Sequence, residues 1–273
     1  MILTPIRRYG AMILMLLTLV FSSEVLAKTH TTTASQKSHL TKASNKHKHK
    51  QEYSRNSAKS SSLPDLRKYP SGTPRKKAFL RTVMPYITSQ NAAITAERNW
   101  LISKQYQGQW SPAERARLKD IAKRYKVKWS GNTRKIPWNT LLERVDIIPT
   151  SMVATMAAAE SGWGTSKLAR NNNNLFGMKC MKGRCTNAPG KVKGYSQFSS
   201  VKESVSAYVT NLNTHPAYSS FRKSRAQLRK ADQEVTATAM IHKLKGYSTK
   251  GKSYNNYLFA MYQDNQRLIA AHM

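Results

Sequence analysis

Glu160 closes an alanine-rich run and is followed at once by Ser161-Gly162-Trp163-Gly164. A solvated surface glutamate needs none of that company. A carboxyl that hands its proton to a leaving group at neutral pH does, because it must stay un-ionised until an oxygen arrives to accept. The negative end of a helix dipole helps by roughly 0.3–1 kcal/mol, under one pKa unit. The surrounding positive charge of the chain pushes the other way. Desolvation can raise a carboxyl by up to about 3–5 units, so it has to be the dominant lever. Ala157, Ala158 and Ala159 permit close approach, while Trp163 and Phe176 exclude water. The residues therefore predict a general acid, largely buried at the edge of a groove. The alternative is a helix-terminal glutamate paired with a nearby Lys or Arg.

Other acids are scarce. From residue 150 onward they are Glu203, Asp232, Glu234 and Asp264. Glu203 ends Ser200-Val201-Lys202-Glu203, a capping box, so its place has a structural explanation beside a catalytic one. Asp232 and Glu234 open a helix, where acids favour the dipole. Asp264 lies within a helical stretch and reads as solvated.

The stretch "AAAESGWGTSKLARNNNNLFGMK", 157–179, resembles the signature of bacterial peptidoglycan N-acetylglucosaminidase domains, glycoside hydrolase family 73, of the flagellar wall-hydrolase type. "HPAYSSFR", 215–222, resembles that family's Pro-Arg-Tyr element, with Ala217 for the arginine. "KGYSTKGKSYNNYL", 245–258, resembles its Gly-Tyr-Ala-Thr-Asp-Pro-x-Tyr segment. The match covers roughly 140–265. It implies a mainly α, lysozyme-like helical domain with a small irregular/β lobe, and an enzyme that cleaves glycan strands at N-acetylglucosamine without metal or cofactor. A muramidase-type bond stays open.

The resemblance implies site residues too. Glu160 is the acid. Tyr247 aligns near the cleft, its hydroxyl orienting an acetamido group or water, with ordinary packing as the other reading. Trp163, Asn174, Phe176, Tyr195, Tyr218 and Tyr254 are candidate substrate contacts. Core packing stays open for Trp163 and Phe176, and satisfaction of helix ends for Asn174. Where the family carries a second glutamate in a Thr-Thr-Glu-Tyr stretch, this chain reads "CMKGRCTNAPGKVKGYSQF", with no acid. A two-carboxylate mechanism cannot be carried over. Either Glu203 substitutes, or the substrate's own acetamido group assists, or the protein binds without turnover.

These residues have to be held by helices. Ser111-Pro112-Ala113-Glu114 is a capping box with proline at the first helical position, opening a helix through Tyr125. Ala93, Ile94, Glu97, Leu101 and Ile102 recur at helical spacing over 91–105. A short helix over 141–145 precedes Pro149, which introduces the helix delivering Glu160. Val201, Val205, Tyr208 and Leu212 form an apolar stripe, and 234–244 and 255–269 read as two more helices. Between Phe176 and Ser199 the pattern predicts loop and at most a small hairpin.

The domain organisation follows from composition. Residues 1–27 read as a signal peptide: Arg7-Arg8, the apolar run Ala11 to Phe21, then Val25-Leu26-Ala27 as a cleavage site, with an uncleaved membrane anchor as the alternative. Residues 28–77 carry 13 Lys or Arg against Glu52 and Asp65, and read as a disordered basic linker. Helices over 78–139 form an N-terminal extension packed on the catalytic domain, 140–273. The two cysteines, Cys180 and Cys185, close a small disulfide loop in an exported setting, or else are free thiols. The formal charge of +33 favours polyanionic partners. Export into the periplasm or envelope makes these peptidoglycan strands and anionic wall or membrane surfaces, and disfavours nucleic acid.

Overall fold

The computed structural model describes residues 62–180, 185, 187–244, 247 and 251–273. The signal-peptide reading lies outside them, as does the basic linker as far as residue 61. Among the described residues the chain is mainly α, with nine α-helices and no strand. None of these helices is long and apolar enough to cross a membrane.

The core is organised around α4, Thr150–Ser161, which packs against both α1, Thr73–Ser103, and α9, Lys252–Ala270. Nearly every side of α4 is buried, from Met152 and Val153 to Ala157 and Ala158, as expected of a helix that is apolar all round. Long α1 supplies Phe79, Leu80, Val83, Ile87 and Ile94 to the core and also carries α6, Val201–Thr214. Pro85 lies inside α1 without ending it.

Local signals fix the helix starts. At α2, Pro112–Arg124, Ser111 Oγ accepts from Glu114 N–H at 3.2 Å and Glu114 Oε2 accepts from Ser111 N–H at 2.8 Å, the full reciprocal box. At α6 half of the box forms. Ser200 Oγ accepts from Glu203 N–H, but the Glu203 carboxylate turns to Ser199 and accepts from its N–H at 2.7 Å and its hydroxyl at 2.8 Å. The helix expected over 141–145 runs as α3, Trp138–Arg144, and α5 covers Lys167–Asn172. That expected over 234–244 is shorter: α8 spans Ala237–Met240 and tightens into a 3-10 turn at Ile241–Lys243.

Helix α7, Ser219–Lys230, is tied to the approach to α4 by buried charge. Arg225, wholly buried, donates to the carbonyls of Glu143, Asp146 and Ile147, while Arg229 grips the buried Asp146 carboxylate at 3.0 and 3.1 Å. Burial brings the Arg225 guanidinium down to about 10. Removing one partner of such a set costs about 3–5 kcal/mol, because it strands a buried charge.

Order begins earlier than residue 78, so the linker reading is corrected over its last part. Leu63 and Leu66 are buried, a 3-10 turn spans Leu66–Lys68, and α1 is under way at Thr73. The reason is a partner surface invisible in composition: the backbone of Gly164. A Cβ there would stand 2.7 Å from Leu66 Cδ1 and 3.1 Å from Phe79 Cδ2. In the irregular lobe, backbone pairing amounts to two isolated antiparallel bridges, Lys179 with Tyr195 and Cys185 with Ser196. Cys180 and Cys185 are joined as a disulfide with Cα atoms 5.1 Å apart.

Candidate active site

Glu160 is the penultimate residue of α4, and the turn beyond it is tightly built. Gly162 and Trp163 both adopt left-handed backbone, at φ 56° and 55°. Ser161 Oγ donates to Ala157 O at 2.6 Å and accepts from Gly164 N–H at 2.8 Å. The backbone of Trp163 returns to Ala158 O. This turn throws the indole outward against α1, edge-on to Phe79 at 5.6 Å and beneath the Lys76 ammonium at 5.1 Å. Trp163 is not among the residues lining the cleft at Glu160; of its two readings, substrate contact and packing, the contacts fit packing, since it docks the turn after Glu160 on α1.

The Glu160 carboxyl is half-buried in a cleft of about 570 Å³. Its lining runs from Phe176, Gly177, Met178 and Lys179 through Tyr208, Asn211, His215 and Tyr218 to Tyr247 and Tyr254. Burial raises the Glu160 pKa, and a hydrogen bond donated by Tyr254 Oη to Glu160 Oε1 opposes it without cancelling the rise. The second oxygen, Oε2, looks toward Gly177. A Cβ on Gly177, whose φ is 62°, would stand 3.3 Å from Oε2. Glycine is the residue that lets the loop approach the acid this closely.

Aromatic rings fix the tyrosines. Phe176 stacks flat on Tyr208 at 3.9 Å, Tyr208 meets Tyr247 edge-on at 6.4 Å, and Tyr247 stacks on Tyr254 at 5.5 Å. Burial holds the hydroxyls of Tyr208, Tyr247 and Tyr254 far above the ordinary phenol value, so all three remain O–H donors at any physiological pH. The structure thus brings Glu160, Phe176, Tyr218, Tyr247 and Tyr254 together.

Other expected residues stand elsewhere. Asn174 is buried and closed on the loop it organises, donating to the carbonyls of Met178 and Ser196 and accepting from Met178 N–H. With Asn172 and Asn173, which bond Val192 and Phe198 in the same way, it fastens the irregular lobe to α5. A buried amide spent on backbone has none left for substrate. Tyr195 does not line the cleft either; its hydroxyl accepts from Lys179 Nζ at 3.0 Å and its ring lies under that ammonium. It positions a cleft cation. Glu203 lines an adjoining pocket, of about 350 Å³, that shares Asn211 with the Glu160 cleft; it is not among the residues lining that cleft.

Among the described residues no second acid lines the cleft. All other Asp and Glu residues from 62 onward are described, and none lines the cleft. Residues 181–184, 186, 245–246 and 248–250, outside the described ones, contain no acid. Sequence reasoning missed Tyr208, Asn211 and His215, and also Gly177, Met178 and Lys179, as cleft residues. Tyr208 was absorbed into the apolar stripe of α6, where its ring belongs. The available signal was its spacing with Asn211, positions i and i+3 on one helix face, with His215 just past the helix end.

Residues 137–267 match the family profile Glucosaminidase, described as mannosyl-glycoprotein endo-beta-N-acetylglucosaminidase. Over its full length the chain is similar to "Protein bax" of Escherichia coli strain K12, with 98% identity over 274 residues and 100% of each chain covered. No solved structure matches.

Proposed function

The chain belongs to the glucosaminidase family, and on that premise we propose that it is an exported peptidoglycan hydrolase cutting the glycan strand at N-acetylglucosamine. Family membership supports glycan hydrolysis; the bond, the mechanism and the export are our reading. The observation that carries the reading is Glu160 itself, a carboxyl raised by burial and facing a groove that no other described carboxylate lines. The domain 140–273 then acts as a lysozyme-like body with its irregular lobe, and the helices of 78–139 serve as its support.

The chemistry follows from the two oxygens. Tyr254 occupies Oε1, leaving the proton on Oε2. As the scissile C1–O bond breaks, that proton passes to the leaving oxygen, and the substrate's acetamido carbonyl oxygen attacks C1 to close a cyclic oxazolinium. A water then attacks C1, gives its proton to the Glu160 carboxylate and reopens the ring, regenerating the acid. Tyr247, stacked on Tyr254, orients the acetamido group. Burial of the acid and these hydroxyls lets a single carboxylate serve both steps.

Incubation with purified wall followed by mass spectrometry tests this directly. New reducing ends on N-acetylglucosamine are expected, and Glu160→Gln should lower the rate by about 10²–10⁴-fold, the range for losing a general acid. Full activity in that variant would remove the mechanism. A second reading, a wall-binding protein that kept the groove and lost turnover, draws on the absence of the lobe glutamate. It requires binding with no new reducing ends from the parent chain.

A further inference from the structure

A line of rings leads away from the acid and ends in an imidazole. From Tyr254, which touches Glu160, the wall passes to Tyr247 at 5.5 Å, to Tyr218 at 6.2 Å and to His215 at 5.8 Å. His215 thus lines the same cleft as the acid without touching it, three ring contacts removed along this line. Its side chain is exposed at the cleft margin, and the cleft is lined by it.

The ring is chemically committed. His215 caps the 3-10 turn Pro216–Tyr218, and its Nδ1 accepts from Ala217 N–H at 3.2 Å. A neutral imidazole that accepts at Nδ1 carries its proton on Nε2. Nε2–H can then give a hydrogen bond. The backbone around it is also held: His215 N–H donates to Asn211 O and His215 O accepts from Arg222, which is itself buried. Lys179, which lines the same cleft, offers a second donor.

We infer that His215 is a specificity residue, a fixed N–H donor that reads the acyl oxygen of the lactyl substituent on the sugar neighbouring the cut. This rests on the glycan-hydrolase reading and refines it. The part of the groove that His215 lines discriminates muramic-acid-bearing strands from neutral N-acetylglucosamine polymers of equal length, which lack that oxygen.

The experiment compares the full chain on alternating N-acetylglucosamine–N-acetylmuramic acid oligosaccharides with chito-oligosaccharides of the same length. His215→Asn keeps an oxygen for the Ala217 N–H, so the cap survives, while its amide stops short of the substrate. The expected result is a fall of about tenfold in kcat/KM on the lactyl-bearing strand, carried by KM, the size of one lost hydrogen bond. The neutral polymer should be cut unchanged. His215→Gln, whose amide reaches the former Nε2 position, should recover part of the difference. Nitrogen NMR of the parent should show the Nε2–H tautomer.

Equal losses on both substrates, no loss on either, or a kcat collapse of a hundredfold would each overturn the assignment. If the parent cuts neither oligosaccharide, the hydrolase reading fails. Equilibrium binding of the two to Glu160→Gln, with and without His215→Asn, still reads the same ratio and decides the role of His215 separately.

Discussion

At the residue scale, Glu160 holds two opposed influences. Removal from water raises its pKa, and the Tyr254 hydroxyl, by stabilising the anion, lowers it. Activity by proton donation is lost as pH climbs through that pKa, so the alkaline limb of kcat/KM reports it. Tyr254→Phe removes the lowering influence and leaves the burial. The pKa then rises and the alkaline limb moves to higher pH, while kcat falls because Oε1 is no longer held. A pH–rate profile of the two proteins checks this, and a limb that stayed put or moved to lower pH would contradict the geometry. The need for burial was legible in the sequence, since no other influence on a helix-end carboxyl is large enough. Tyr254 as its direct partner was not, because the two residues lie 94 positions apart and spacing carries no information over that distance.

At the element scale, what the sequence foretold were the locally written features. The box at Ser111–Glu114, the end of α4 at Gly162 and the stripe of α6 each depend on residues within one or two turns. What escaped depended on long-range fit. Leu63 and Leu66 sit in a basic, periodicity-free stretch, and only the bare backbone of Gly164 gives them something to cover. Trp163 stayed open between substrate contact and core packing because aromatic character alone does not tell a cleft from a helix interface. The contact at Gly164 has a measurable consequence. In Gly164→Ala the residue at φ 79° meets a left-handed cost of roughly 1–2 kcal/mol, and the new methyl overlaps Leu66 and Phe79, an overpacking of about 1–3 kcal/mol. Denaturant unfolding should show a loss within the sum of those ranges. A change under about 0.5 kcal/mol would mean that the 62–72 segment does not bear on the catalytic turn.

At the scale of the whole molecule, charge is the dominant property. The chain carries +33, and between residues 161 and 202, the stretch that supplies Phe176 to Lys179 to the cleft lining, eight Lys or Arg stand with no acid. Lys179 brings part of that charge to the groove itself. Attraction of this kind is long-ranged but screened, with a Debye length of about 10 Å at 0.1 M salt and about 3 Å at 1 M. Contacts within the groove, hydrogen bonds and ring stacking, are short-ranged and far less salt-sensitive. The two contributions separate in a pelleting assay with purified wall, using the full-length Glu160→Gln protein so that the surface is not consumed. Adsorption should be strong at low salt and fall steeply toward 1 M, and vesicles containing anionic lipid should capture the protein where neutral ones do not. Retention on wall unchanged at 1 M salt would assign the attachment to the groove and leave the basic excess without a part in it.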